Sequence, residues 1–353
     1  MPRMDQDSND QRLIKMLITA EAKMGKTHYA AQAAAAGFNV LMLDGDGGAA
    51  TVARLPLATR KNIYLINCGD QIVSGLRDSR FQDTIREFTS LSKFRWNDTL
   101  GRLASRKDTE GEIWQIEPAK LDHTCVLILD AWTGYVESLQ LKVAREVGVD
   151  IQTATTQQMR PVYQMSGLRA TALLQMFRAA RCHVVCIAHA DEYQHTKAPD
   201  GKTVSGVKEG EREILWTKRI PKSTSRPHGL QMAKYFTDAP WMALSGSGKR
   251  QLDFRTQAER VGGGHFDGIK TVEEYSFANL VKEIGGHVPN PSSPASTDSW
   301  LTISDAATQV EAPAKVLDGT KSTPIEGVAA PKGFSGLGFG KKAATAGATQ
   351  VAS

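Results

Sequence analysis

Apolar runs of strand length alternate with helix-favouring stretches along most of the chain, and the alternation fades near Val288. The first run is "LIKMLIT" (13–19). "KTHYAAQAAAA" (26–36) follows it, rich in alanine and free of Gly and Pro, which favours helix, and Gly37 is placed to end that helix. "FNVLMLDGDGG" (38–48), "TCVLILDAW" (124–132) and "HVVCIAHADEY" (183–193) are further buried-strand runs, the last ending as a core strand at His189. Continuous apolar strands separated by helical segments predict an α/β fold, a mostly parallel sheet flanked by helices. Farther on, "SGSGKRQLDFRTQAERVGGGHFDG" (245–268) has strand alternation between glycine turns.

These patterns divide the chain. Residues 1–11 are polar and predict a flexible N-terminus, and 12–285 read as one globular domain with 93–120 as an insertion. From 286 to 353 the text turns to Pro, Ser, Ala and Gly, as in "PNPSSPASTDSW". Such a segment buries too little apolar surface to offset its ordering entropy, so a disordered tail is expected. The tail carries the motif "GFSGLGFGKK" (333–342).

Composition changes the picture little. With 353 residues and 41% hydrophobic content the chain can build a large core. No run approaches the ~18 apolar residues of a membrane span, and the N-terminus lacks a signal peptide's apolar segment; a cytoplasmic protein is expected. Cys68, Cys125, Cys182 and Cys186 are scattered. Without a second ligand pair they read as buried thiols in a reducing compartment rather than a zinc site. The net charge of +5 permits a nucleic-acid partner without demanding one.

The chemistry starts where the first run meets the first helix. Gly25-Lys26-Thr27 lies at that turn, the context in which backbone N–H groups cradle phosphates. Residues Ala22, Lys23, Met24, Gly25, Lys26, Thr27 and His28 are therefore the candidate nucleotide-binding loop, with Lys26 reaching the β and γ phosphates and Thr27 supplying a hydroxyl to Mg²⁺. Ala20 stands where the phosphate-loop pattern has its first glycine, and a strain of order 1 kcal/mol is expected if its φ is positive. The second strand delivers Asp44 and Asp46 to the carboxyl edge of the sheet, where ligands of such sheets bind; Asp44 reads equally as a cap of the loop that follows. "VLILD" has the form of a Walker B strand, carrying Asp130 to the Mg²⁺ shell. His189, at another strand end, is a candidate sensor of the terminal phosphate.

In this order, the phosphate loop, "LDGD", "VLILD" and "VVCIAH" resemble the RecA-like core. Within it they resemble the phage-type RecA-like ATPases of single-strand annealing and recombination, over about residues 13–265. The resemblance implies an ATP- and Mg²⁺-dependent protein with catalytic residues Lys26, Asp46, Asp130 and His189, Asp46 activating the attacking water. It implies an oligomer, ring or filament, on single-stranded DNA in the host cytoplasm, with a single-strand-binding protein as a partner for the tail. It also implies a mobile DNA-contacting loop after the sensor strand. Here that segment is "EYQHTKAPDGKTVSGVKEGEREILWTKRIPKSTSRPHGL" (192–230), whose part from Ile214 to Leu230 carries Trp216, Lys218, Arg219, Lys222 and Arg226 without an acid. Cations neutralise phosphates and an aromatic ring stacks on bases. Lys249, Arg250, Arg255 and Arg260 are candidates for a finger reaching a neighbouring subunit's nucleotide. Two other readings compete. "GFNVLMLDGDGGA" also resembles partition ATPases of the ParA kind, but Glu21 stands where their signature lysine belongs. A nucleotide-binding adaptor with little turnover would account for Ala20 and for Asp rather than Glu at 46.

Overall fold

The computed structural model describes residues 12–73, 76–104, 111–197, 213–255, 264–272 and 275–305, all within one compact unit, Met1–Gln309. Its centre is a sheet whose parallel strands are β1 (Lys15–Ala20), β2 (Asn39–Asp44), β3 (Ile63–Asn67), β9 (Cys125–Asp130), β10 (His183–Lys197) and β12 (Trp241–Leu244), in the spatial order β12-β1-β10-β9-β2-β3. Strands β13 (Arg250–Asp253) and β14 (Ile269–Thr271) extend it antiparallel beyond β12. Between β3 and β9 lie a small hairpin, β4 (Ile72–Val73) with β5 (Leu76–Arg77), and the strands β6 (Phe94–Asn97), β7 (Arg102–Leu103) and β8 (Glu112–Ile116).

Every residue of β1, β2 and β9 is buried, which is why these strands run apolar through their middles instead of alternating, with polar residues mostly near their ends. Successive side chains enter opposite layers. Leu41 and Leu43 pack with Leu127 and Leu129 under the helices α4 (Arg80–Ser90), α5 (Trp132–Glu146) and α6 (Thr156–Ala179). Val40 and Met42 pack with Val126 and Ile128 under α1 (Lys26–Ala31) and α8 (Phe277–Glu283). The helix expected over 26–36 starts as α1 and tightens to a 3₁₀ helix over Gln32–Ala36. Gly37 ends it at φ 90°, with the backbone of Asn290 2.9 Å from where a Cβ would sit.

Two expectations are corrected. The tail does not begin at 286. Strand β15 (Leu301–Asp305) pairs antiparallel with β8 in the order β15-β8-β6-β7, a separate sheet that contains the described part of the 93–120 insertion. Trp300 is 1% exposed and forms a T-shaped pair with Tyr64, ring centroids 5.4 Å apart. A strand partner so far away in sequence leaves no trace in local composition. Residues 306–353 of the tail, including "GFSGLGFGKK", lie outside the described residues, as do residues 1–11 and the insertion's residues 105–110.

Nor is the segment after His189 a plain loop. β10 continues to Lys197 and pairs antiparallel with β11 (Glu213–Pro221), forming a two-stranded ribbon off the main sheet. Beyond the core a ribbon needs no apolar run, so polar residues hid the strand. Residues 198–212 between the two strands lie outside the description. Two short helices, α2 (Ala49–Val52) and α3 (Leu57–Arg60), lie between β2 and β3, and α7 (Arg226–Gln231) follows the ribbon.

Candidate functional site

The carboxyl ends of β1, β2, β9 and β10 open onto a cleft of about 700 Å³. Its lining includes all of Ala22 to His28, together with Asp46, Asp130 and His189. The loop's left-handed positions are Gly25 (φ 89°) and Lys23 (φ 63°), and Ala20 is not among the positive-φ residues. Ala20 is instead the last residue of β1, paired with His189 of β10 and 1% exposed. The strain expected at Ala20 is absent, because its backbone belongs to the sheet and the turn comes after it.

Lys26 is 5% exposed, and its Nζ donates to the carbonyls of Ala20 (3.0 Å) and Glu21 (2.7 Å). Burial lowers its pKa to about 8, against the opposing fields of Asp130, Asp46 and Glu21. The Thr27 hydroxyl donates to Asp130 Oδ2 at 2.7 Å. Burial raises the Asp130 pKa to about 7, with the Thr27 hydrogen bond opposing and the charges of Asp44 and Asp46 adding to the rise. A hydroxyl and a carboxylate in contact at a strand end are hard oxygen donors of the kind Mg²⁺ takes alongside phosphate oxygens. Thr27 and Asp130 fit that ion, whose chemistry would be neutralisation of phosphate charge.

Asp44 and Asp46 differ in place. Asp44 is fully buried and accepts from the backbone N–H groups of Asp46 (3.2 Å), Gly48 (2.7 Å) and Ala49 (2.9 Å). It shapes the loop after β2 and does not line the cleft, so of its two readings, facing phosphates or capping a loop, Asp44 has the second. Asp46 does line it, and its Oδ2 lies 3.1 Å from His189 Nε2, each side chain about one-third exposed. The His189 backbone N–H is held by the Thr133 hydroxyl at 3.1 Å.

The finger candidates separate. Arg250 lines the cleft of its own chain, whereas Arg255 is paired with Asp253 at 2.9 Å. Lys249 sits in the turn before β13, outside the cleft lining, and Arg260 lies outside the described residues. The ribbon cations separate too. Lys218 and Arg219 are neighbours in β11 and face opposite sides of it. Lys222 is ion-paired with Glu137 at 2.9 Å, and Arg226 begins α7. Trp216 falls in β11 opposite His195. In sequence these cations form one acid-free run, and the alternation of the strand turns the neighbours Lys218 and Arg219 to opposite faces.

Arg54, Thr51 and Gly48 also line the cleft and escaped the sequence reading. Arg54 is one of two arginines in "TVARLPLATR", with no spacing to mark it. Gly48 had a weak signal in "DGDGG", the only residue type that fits beside the Asp130 carboxylate.

A mostly parallel sheet with helices on both faces, a phosphate-type loop after its β1 and a Walker B carboxylate at its β9 define a P-loop ATPase of the α/β class. Residues 12–216 match the family described as the AAA domain, more than half of the chain, and the chain belongs to that family. No curated protein matches it. Among solved structures it is similar to a prototypical ATPase from the type III secretion system of pathogenic bacteria, at 13% identity and a TM-score of 0.33, over 67% of this chain and 52% of that one. The chain spans about half the length of that ATPase, a distant likeness from which nothing follows about secretion. No helix among the described residues is long and apolar enough to cross a membrane.

Proposed function

We propose that the chain binds and hydrolyses ATP with Mg²⁺ and acts on single-stranded DNA as a phage-type RecA-like protein of recombination or annealing. The observation that carries the hydrolytic part is the Asp46–His189 contact of 3.1 Å, set in one cleft with Lys26 and the Thr27–Asp130 pair. Lys26 leaves two carbonyls to meet the phosphates, and its partial desolvation strengthens that attraction. Asp46, partly exposed, is free to hold a water and take its proton, while His189 fixes the carboxylate's orientation and reports the state of the site to the ribbon. That link is short: His189 accepts from the Lys222 backbone N–H at 2.8 Å, just beyond the end of β11. The DNA part rests on the cations Lys218 and Arg219 of β11 and on the net charge of +5. The absence of strain at Ala20 removes one ground for a little-turnover adaptor.

Turnover with and without single-stranded DNA tests the reading, in the wild type, Asp46→Asn and Lys26→Ala. DNA-stimulated hydrolysis is expected. Asp46→Asn should keep nucleotide affinity and lose about 100-fold or more in kcat, since general-base catalysis is worth roughly 10²–10⁴. Lys26→Ala should lose affinity. Hydrolysis by Asp46→Asn at the wild-type rate would refute the assignment.

A further inference from the structure

Arg250 opens β13, its backbone fixed by pairing with Leu244 and by the Val272 N–H, which donates to its carbonyl at 2.9 Å. From there the side chain reaches the nucleotide loop. Its Cζ and Nε lie 3.0 Å, and its Nη1 3.2 Å, from the point a Cβ on Gly25 would occupy. Its charge also contributes to the lowered pKa of His28, after burial. Among the described residues its guanidinium has no hydrogen-bond or ion-pair partner. The acids of the cleft are engaged elsewhere, Asp130 with Thr27 and Asp46 with His189. A half-buried guanidinium carries five donors in a fixed fork and needs an acceptor in exchange for lost water. Here it is aimed at backbone that, with left-handed Lys23 and Gly25, forms the concavity in which N–H groups gather anions.

We propose that Arg250 clamps the α/β-diphosphate of the nucleotide bound by its own chain, and does not serve as a finger for a neighbouring subunit. The proposal rests on the nucleotide-binding reading above. The location selects the diphosphate: the loop backbone cradles the α and β phosphates, and the lysine reaches β and γ. Arg250 presses on Gly25 of that backbone. The Asp46–His189 pair packs instead beside the start of α5, where Asp46 Oδ1 would lie 2.5 Å from a Cβ on Gly134. A guanidinium fork matches two phosphate oxygens at once, which an ammonium does not.

The test is calorimetric affinity of the full chain for ATP and for ADP, alongside kcat at saturating ATP. Arg250→Ala should weaken both nucleotides by the same factor, about tenfold or more for a lost charge-assisted contact. kcat should stay within about twofold, as for binding shared by ground and transition states. Arg250→Lys should recover part of the affinity. Weakening confined to ATP would place the guanidinium on the γ-phosphate and overturn the proposal. So would a fall in kcat at unchanged affinity, the signature of a finger acting on a neighbour. Unchanged affinity in Arg250→Ala, with binding lost in Lys26→Ala, would overturn the clamp alone. Unchanged affinity in both would overturn the nucleotide reading with it.

Discussion

Gly48→Ala is a sharp test of how the loop after β2 is packed. Gly48 sits at φ −58°, ψ −19°, a conformation open to any residue. Alanine there should restrict the unfolded chain and stabilise by about 0.4–1 kcal/mol if nothing intervened. The added Cβ, however, would lie 2.4 Å from Asp130 Oδ2, 2.5 Å from Met42 Cε and 3.0 Å from Thr27 Cγ2, where ordinary contact begins at 3.4 Å. The Met42 methyl can swing aside. The Asp130 carboxylate is 3% exposed and held by Thr27, so it must shift by about 1 Å or push the loop away. Overpacking of this kind costs about 1–3 kcal/mol, and a buried carboxylate parted from its donor costs about as much again. A net loss of about 2 kcal/mol or more is expected by urea denaturation. Because the displaced group is the candidate Mg²⁺ ligand, the gain in nucleotide affinity on adding Mg²⁺ should fall by about tenfold, the equivalent of ~1.4 kcal/mol. A variant as stable as the wild type, with the same Mg²⁺ gain, would show that Gly48 does not press on Asp130.

Three further outcomes follow from other parts of the molecule. Lys15 is 5% exposed, its Nζ donates to the carbonyls of Ala180 and Cys182, and burial lowers its pKa to about 8 from 10.5. Between those values the unfolded chain binds the extra proton, so Lys15 makes stability rise with pH there; Lys15→Met should remove that increment, and identical urea midpoints against pH in the two chains would refute it. Trp300→Ala should cost about 3–5 kcal/mol as a core truncation, where a disordered tail would cost nothing measurable by thermal melting. In DNA binding, Lys218→Ala and Arg219→Ala should differ, because a single strand follows one face of the ribbon. One of them should flatten the slope of log K against log salt by about 0.7 and the other leave it unchanged; equal effects would contradict the facing.

The frame of the nucleotide site was legible because local chemistry imposes it. Gly25-Lys26-Thr27 must sit between a strand and a helix to present N–H groups, and strands buried on both faces must be mostly apolar, so "LIKMLIT", "FNVLML" and "VLILD" could be read as strands from the sequence alone. Their ends then had to carry Lys26, Asp46, Asp130 and His189 to one edge. What remained hidden depends on partners distant in the chain or on the facing of a side chain. Asp44 and Asp46 are both acids at one strand end, and only the turn geometry gives Asp44 to three backbone N–H groups and Asp46 to His189. Trp300 sits in a Pro- and Ser-rich stretch and becomes core only because β8 offers β15 an edge. Lys218 and Arg219 form one basic run in the text, which a strand divides between two faces. Arg250 could as well have reached outward; the antiparallel return of β13 along β12 turns it onto the loop of its own chain. Local spacing fixes which residues can share an edge of the sheet, and only the long-range pairing of strands decides which of them meet.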